Sequence, residues 1–69
     1  MKSRASKAIP YNLRKIRDKR SLTQEQMAKL LKISNSSYAK IERGERVPSI
    51  HTLEKISDAL GVKLDDIAS

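Results

Sequence analysis

The stretch QEQMAKLLKISNSSYAKIER, residues 24–43, decides the fold. Its apolar residues recur at helical spacing and predict two short helices, the first ending at Leu31 and the second beginning at Asn35. The break between them is so short that the helices must cross steeply, which indicates a helix-turn-helix. The residues that predict the buried faces are Met27, Leu30, Leu31, Tyr38 and Ile41.

Cap residues support these two helices. Thr23 and Gln26 have the spacing of a capping box, in which the threonine hydroxyl accepts from the third N–H and the glutamine reaches back. Ser34 is suited to cap the second helix, and Gly44 is placed to end it with a positive φ. Ala28 is small enough to let the two helices approach closely.

Three further helices are predicted outside this unit. The first starts near Pro10, a residue suited to a first turn, and ends near Arg20. Another is capped by Ser49 and ended by Gly61, and the last runs from Leu64 to Ala68. Its apolar face and that of the preceding helix comprise Ile50, Leu53, Ile56, Leu60, Leu64 and Ile67. The sequence therefore predicts an all-α fold of five short helices.

The 69 residues allow one small domain. We expect residues 10–69 to form it and residues 1–9 to be a flexible basic arm. Lys2, Arg4 and Lys7 in that arm either follow a phosphate backbone or enter a minor groove, or remain unused.

Charge is distributed unevenly along the chain. Residues 1–46 carry a net charge of +9 and residues 47–69 carry −2, within a total of +7. A basic concentration of this kind predicts a nucleic-acid partner at one end of the molecule, since phosphates are attracted there.

Several classes of function are disfavoured by residue inventory. Cysteine is absent, the single histidine His51 stands alone, and no glycine-rich phosphate loop is present, so we expect no enzyme, cofactor or metal site. No apolar run approaches the ~20 residues of a membrane span, and no signal peptide is visible. The expected compartment is the cytoplasm.

The order of motifs resembles the Cro/CI-type (XRE) helix-turn-helix regulators, which have a lambda-repressor-like fold. The resemblance covers about residues 11–67 and is carried by LTQEQMAKLL, KIERGERVPS and ALGVKLDDI. It implies a compact five-helix domain that binds double-stranded operator DNA, usually as a homodimer, and acts as a transcriptional repressor at an inverted repeat.

The resemblance also implies roles for individual residues. Gln24 matches a glutamine that meets a phosphate at the start of a helix. Asn35, Ser36 and Ser37 match positions that contact base edges, and asparagine can bond adenine with two hydrogen bonds. Lys40 follows on the same exposed face, where a guanine or a phosphate is within reach.

Three arginines complete this implied interface. Arg43 and Arg46 match positions that meet the DNA backbone beside the groove. Arg17 and Glu42 match a buried ion pair that fastens the first helix to the third, and Arg17 is also placed as a possible phosphate contact. Lys32 stands where the family usually has glycine, so a left-handed backbone there would cost ~1 kcal/mol or more.

Two matters stay open at this level. Val62, Leu64 and Ile67 either pack inward or form a two-fold interface, and a dimer without a separate dimerisation domain is expected to be weak in solution. The alternative function is an antitoxin or switch protein that binds a partner protein, such as a toxin or an anti-repressor, as well as its own promoter.

Overall fold

Five α-helices account for most of the chain in the computed structural model, which describes the backbone of residues 4–69 and side chains from residue 8 onward. They are α1 (Arg4–Lys19), α2 (Gln24–Leu31), α3 (Asn35–Glu42), α4 (Ile50–Leu60) and α5 (Leu64–Ala68). The all-α prediction of five helices is confirmed, and α2 to α5 begin and end close to where the sequence placed them.

Helix α1 is longer than predicted. It begins at Arg4 rather than near Pro10. That residues 1–9 act as a flexible basic arm stays a prediction. Ile9 is buried and extends the apolar stripe of Leu13 by one turn, and this burial compensates for a proline inside the helix. The expected contacts of Lys2, Arg4 and Lys7 fall on residues or side chains outside the described part.

The predicted caps of α2 and α3 are confirmed. The backbone N–H of Gln26 donates to Oγ1 of Thr23 at 3.1 Å, and the backbone N–H of Thr23 donates to Oε1 of Gln26 at 2.9 Å. Oγ of Ser34 accepts from the backbone N–H of Ser37 at 3.0 Å and so starts α3. These bonds satisfy donors that the first turn of a helix leaves free.

The turn between α2 and α3 contains a left-handed lysine. Lys32 has φ 59° and ψ 41° and occupies the C-cap of α2, where the sequence comparison with the family expected glycine. The backbone N–H of Ile33 donates to the carbonyl of Ala28 at 3.0 Å, which closes the turn. A side chain in this conformation costs about 1 kcal/mol, but the conformation allows α2 and α3 to be joined by only three residues.

A single apolar core joins the five helices. Helix α1 packs against α3 and α5, α2 packs against α3 and α4, and α4 packs against α5. Ala28 is buried in this core, which agrees with its predicted place at the crossing of α2 and α3. The buried apolar residues are Ile9, Leu13, Met27, Ala28, Leu31, Tyr38, Ile41, Ile56, Leu60 and Ile67.

Two residues predicted to face the core are exposed instead. Leu30 is 42% exposed because the stripe of α2 is formed by its neighbours Met27, Ala28 and Leu31, from which Leu30 points away. Ile50 is 65% exposed at the first position of α4, one turn outside the packed part of that helix.

The open question about the C-terminal apolar residues is partly answered. Ile67 is fully buried and packs inward, while Val62 is partly buried against the same core. Leu64 is half-buried at the start of α5. Ile67 is therefore part of the folded core rather than available to a second copy.

A buried carboxylate connects α1, α2 and α3. Nε and Nη2 of Arg17 each donate to an oxygen of Glu42 at 2.9 Å, which is the two-bond geometry of a strong arginine–carboxylate pair. Nε2 of Gln24 donates to Oε1 of Glu42 at 3.1 Å. The remaining group of Arg17, Nη1, donates to the carbonyl of Leu22 at 2.9 Å. The predicted ion pair of Arg17 and Glu42 is thus present, and Gln24 belongs to the same cluster.

The surroundings of Glu42 set its titration. Burial alone would raise the pKa of Glu42, but the hydrogen bonds from Arg17 and Gln24 outweigh it and lower the pKa below its ordinary value. The hydroxyl of Tyr38 is buried nearby without a hydrogen-bond partner among the described residues. Burial first, and then the carboxylate of Glu42, raise the pKa of Tyr38, so the phenol stays neutral.

Replacing Glu42 tests this cluster. We expect Glu42→Gln to lower the free energy of unfolding by about 3 kcal/mol at pH 7, because the partly buried guanidinium of Arg17 loses its counter-charge. A lowered carboxyl pKa stabilises the folded state above the unfolded-state pKa, and that contribution is lost as the pH falls through the folded-state value. The difference between wild type and variant should therefore shrink on acidification.

Chemical unfolding followed by circular dichroism at several pH values measures both effects. Glu45→Gln is the matched control, since Glu45 is in an exposed ion pair with Arg43, and its unfolding should not change measurably. A Glu42→Gln variant as stable as wild type at pH 7 would show that the cluster does not fasten the helices.

Candidate nucleic-acid interface

The first turn of α3 presents polar side chains to solvent. Asn35 and Ser36 are exposed, and Ser37 is half-buried. The opposite side of the helix is anchored by Tyr38, which is fully buried, and by Ile41. The three residues that the resemblance assigned to base contacts are therefore on one accessible turn of a helix held from behind.

A loop cation lies beside this turn. Nη1 of Arg46 donates to Oγ of Ser37 at 3.4 Å, a long hydrogen bond between two side chains that are not fully buried. The structure thus places Arg46, from the loop after α3, next to one of the predicted base-contacting residues. A cation at this position is suited to a phosphate at the edge of a groove.

Arg43 is paired with an acidic neighbour that the sequence analysis did not single out. Its Nε and Nη2 donate to Glu45 at 2.7 and 3.2 Å, and both side chains are 54% exposed. The hydrogen bonds from Arg43 lower the pKa of Glu45, and the charge of Lys40 contributes in the same direction. Glu45 therefore places a negative charge among the cations expected to meet DNA. The spacing of two residues between Arg43 and Glu45 is the sequence feature that could have predicted this ion pair.

Gln24 and Arg17 lie behind the surface rather than on it. Gln24 is half-buried, and its side-chain amide donates a hydrogen bond to Glu42. It is the first residue of α2, as predicted. Arg17 has a side chain 17% exposed, and its donors point to Glu42 and to the carbonyl of Leu22. This arrangement favours the structural role of Arg17 over its other predicted role, a contact with a phosphate.

Two further cations lie on α3 or beside it. Lys40 is exposed one turn after Ser36, as its spacing predicted. Arg14 was not singled out, yet its Nη2 donates to the backbone carbonyl of Glu42 at 3.4 Å while its side chain stays 56% exposed. Its position three residues before Arg17 put it on the same face of α1 and could have indicated this location.

The described residues also bear on two other kinds of feature, metal-ligating and membrane-spanning ones. His51 is exposed, and residues 8–69 contain no group of three His, Cys, Asp or Glu side chains placed to hold a metal ion. Within the described chain no helix has the length and apolar character that crossing a membrane requires. The arrangement offers exposed amide and hydroxyl groups surrounded by guanidinium and ammonium groups, which is chemistry for recognising a polar anion.

Comparison with known proteins agrees with this geometry. The chain is 42% identical over 59 residues to an immunity repressor protein of Bacillus phage phi105, covering 86% of this chain and 41% of that protein. It is 47% identical over 45 residues to the cryptic phage CTXphi transcriptional repressor RstR of Vibrio cholerae, covering 65% and 40%. The chain thus spans less than half the length of these relatives.

A solved structure and a family model extend the comparison. A crystal structure of an HTH_3 family transcriptional regulator from Vibrio cholerae superimposes with a TM-score of 0.83 at 32% identity, covering 91% of this chain and 35% of that one. The predicted fold, including its resemblance to the XRE-type regulators, is confirmed by this match. The helix-turn-helix model HTH_3 matches residues 13–67, and the chain therefore belongs to this helix-turn-helix family.

Proposed function

We propose that this chain is a sequence-specific regulator of transcription that binds double-stranded DNA in the cytoplasm, and that it acts as a repressor. The observation that carries the proposal is the exposed first turn of α3, with Asn35 and Ser36 accessible in front of a buried face. In a helix-turn-helix, this turn enters the major groove and its side chains reach the base edges. The relatives named as repressors support the direction of regulation.

The proposed contacts divide into two kinds. Asn35, Ser36 and Ser37 read base edges, whereas Lys40, Arg43 and Arg46 meet phosphates or, in the case of Lys40, a guanine. The first turn of α2 approaches a phosphate, and the side chain of Gln24 acts there mainly by positioning. Arg17 contributes by holding Glu42 rather than by contacting DNA.

The dimer belongs to the proposal as well. Two copies on an inverted repeat place their recognition helices ~34–36 Å apart. The described part of one copy extends at most 32 Å, close to that spacing. We expect a weak dimer in solution that binding to DNA completes. A second polypeptide that purifies with the chain would instead favour the antitoxin or switch alternative.

Selection of bound fragments from a random DNA pool tests the assignment of base contacts. We expect wild type to select an inverted repeat. Asn35→Ala should relax the preference at one position of each half-site and weaken binding by about 1–3 kcal/mol, because a base-specific pair of hydrogen bonds is lost. Arg46→Ala should weaken binding evenly across sequences and reduce the slope of log affinity against log salt by about 1.

Lys55→Ala, which removes a charge from the exposed face of α4, is the matched control and should change neither quantity appreciably. A salt slope near zero for wild type would contradict DNA binding through phosphates. An unaltered preference in Asn35→Ala would contradict the base contact at that residue.

Removing the acidic side chain of Glu45 should strengthen DNA binding, in contrast to the substitutions of Asn35 and Arg46. We expect Glu45→Gln to tighten binding to duplex DNA roughly fivefold at low salt. Arg43 then has no ion-pair partner to compete with a phosphate, and a negative charge that repels the DNA backbone is removed. Fluorescence anisotropy with a labelled duplex measures the change, which should diminish as salt is added. Weaker binding by this variant would show that Glu45 orients Arg43 toward the backbone instead of competing with it.

Sedimentation velocity tests the proposed dimer. The free protein should move from monomer toward dimer as its concentration is raised, and a duplex carrying the selected inverted repeat should bind two copies together. Binding of one copy per full repeat, with the second half-site left empty at saturating protein, would contradict the proposal.

A further inference from the structure

A cleft of about 400 Å³ lies beside α1 at the end of the molecule formed by α5. Ile16 and Val62, both partly buried, provide its apolar part. The charged groups that line it are Lys15, Lys19, Arg20 and the carboxylate of Asp66. Three cations against one anion around an apolar surface give the cleft a positive rim.

Part of this rim is fixed in place. Arg20 donates through Nη2 to the carbonyl of Leu60 at 2.6 Å, at the end of α4. Asn12 donates through Nδ2 to the carbonyl of Ile67 at 2.8 Å and to that of Ser69 at 2.9 Å, at the end of α5. Both side chains are thus ordered before any ligand arrives, which reduces the conformational entropy that binding costs.

An exposed aromatic residue extends the same side of α1. Tyr11 is 63% exposed, and Nζ of Lys15 lies 5.5 Å from the centre of its ring in a cation–π contact. Exposed tyrosine is a residue type enriched in protein–protein interfaces, where its ring contributes area and its hydroxyl a hydrogen bond. Tyr11 therefore adds a contact point one turn from Lys15 along the helix.

Most of the cleft lies on a different side of α1 from the residues that contact α3. At 3.6 residues per turn, Asn12, Ile16 and Lys19 lie on one side of α1. Arg14 and Arg17 lie on the other side and contact Glu42 of α3. Helix α5 packs against α1 and α4, and α3 packs against α1 and α2. A ligand in the cleft would leave the first turn of α3 accessible.

We propose that this cleft between α1 and α5 is a docking site for an acidic peptide segment of a partner protein, anchored by one apolar side chain. The acidic groups of the segment pair with Lys15, Lys19 and Arg20, and its apolar side chain contacts Ile16 and Val62. The charge of the rim favours an anion, and the apolar part selects a peptide over a fully solvated anion. Because no residue of α3 lines the cleft, we expect docking and DNA binding to be compatible.

The probe is an amidated peptide of glutamate and aspartate with a single central leucine, titrated into ¹⁵N-labelled protein at moderate salt. We expect amide shifts concentrated at Asn12, Lys15, Ile16, Lys19 and Val62. The charge-reversed variant Lys15→Glu/Lys19→Glu should weaken peptide binding by about tenfold or more. The matched variant Lys29→Glu/Lys55→Glu, with the same charge change on exposed positions of α2 and α4, should weaken it much less.

Three further comparisons separate the proposal from general attraction to a basic protein. A peptide with serine in place of the leucine should bind more weakly, and equal binding would overturn the role of Ile16 and Val62. Shifts centred on Asn35 and Ser36 would show the acidic peptide imitating DNA phosphates, which overturns the site. A greater loss of duplex affinity for Lys15→Glu/Lys19→Glu than for Lys29→Glu/Lys55→Glu would assign these lysines to DNA.

Discussion

The carboxylate of Glu42 receives hydrogen bonds from Arg17 on α1 and Gln24 on α2 while its own backbone is the last turn of α3. Three helices of a small domain are therefore fixed to one another through a single charged group. The apolar core supplies most of the burial, but apolar contacts are not directional. The paired and hydrogen-bonded charge adds directional contacts that join α3 to α1 and α2.

Because attachment and exposure are provided by different residues, so short a helix as α3 can present a polar surface to solvent. Helix α3 has eight residues, and its last turn and inner face provide its attachment through Tyr38, Ile41 and Glu42. Its first turn is left with Ser34 as a cap and with exposed polar side chains. The tight left-handed turn at Lys32 brings that first turn out beside α2. Position and exposure of the polar turn thus follow from contacts made elsewhere.

Much of this was predictable from the sequence, because caps and helix-ending glycines act locally. Thr23, Ser34, Ser49 and Gly61 fixed the bounds of their helices within a residue or so. The start of α1 was not predictable from Pro10, since burial of Ile9 is a tertiary effect that outweighs the local preference. Leu30 and Ile50 were misplaced because spacing alone does not show where a neighbouring helix stops.

The candidate site was predicted less completely than the fold. The exposure of Asn35 and Ser36 followed from their phase relative to Tyr38 and Ile41. Which partner each arginine takes depends on distances that a sequence does not contain. The structure directs Arg17 inward and pairs Arg43 with Glu45.

The separation of anchoring and exposed residues on α3 has a consequence for divergence among related proteins. Asn35 and Ser36 are exposed, so replacing them leaves the buried contacts of Tyr38, Ile41 and Glu42 intact. Descendants of one ancestral scaffold can consequently exchange these two side chains without first acquiring compensating changes in the interior. Under the proposed function, single substitutions at these two positions change the target preference and leave a folded protein on which selection acts.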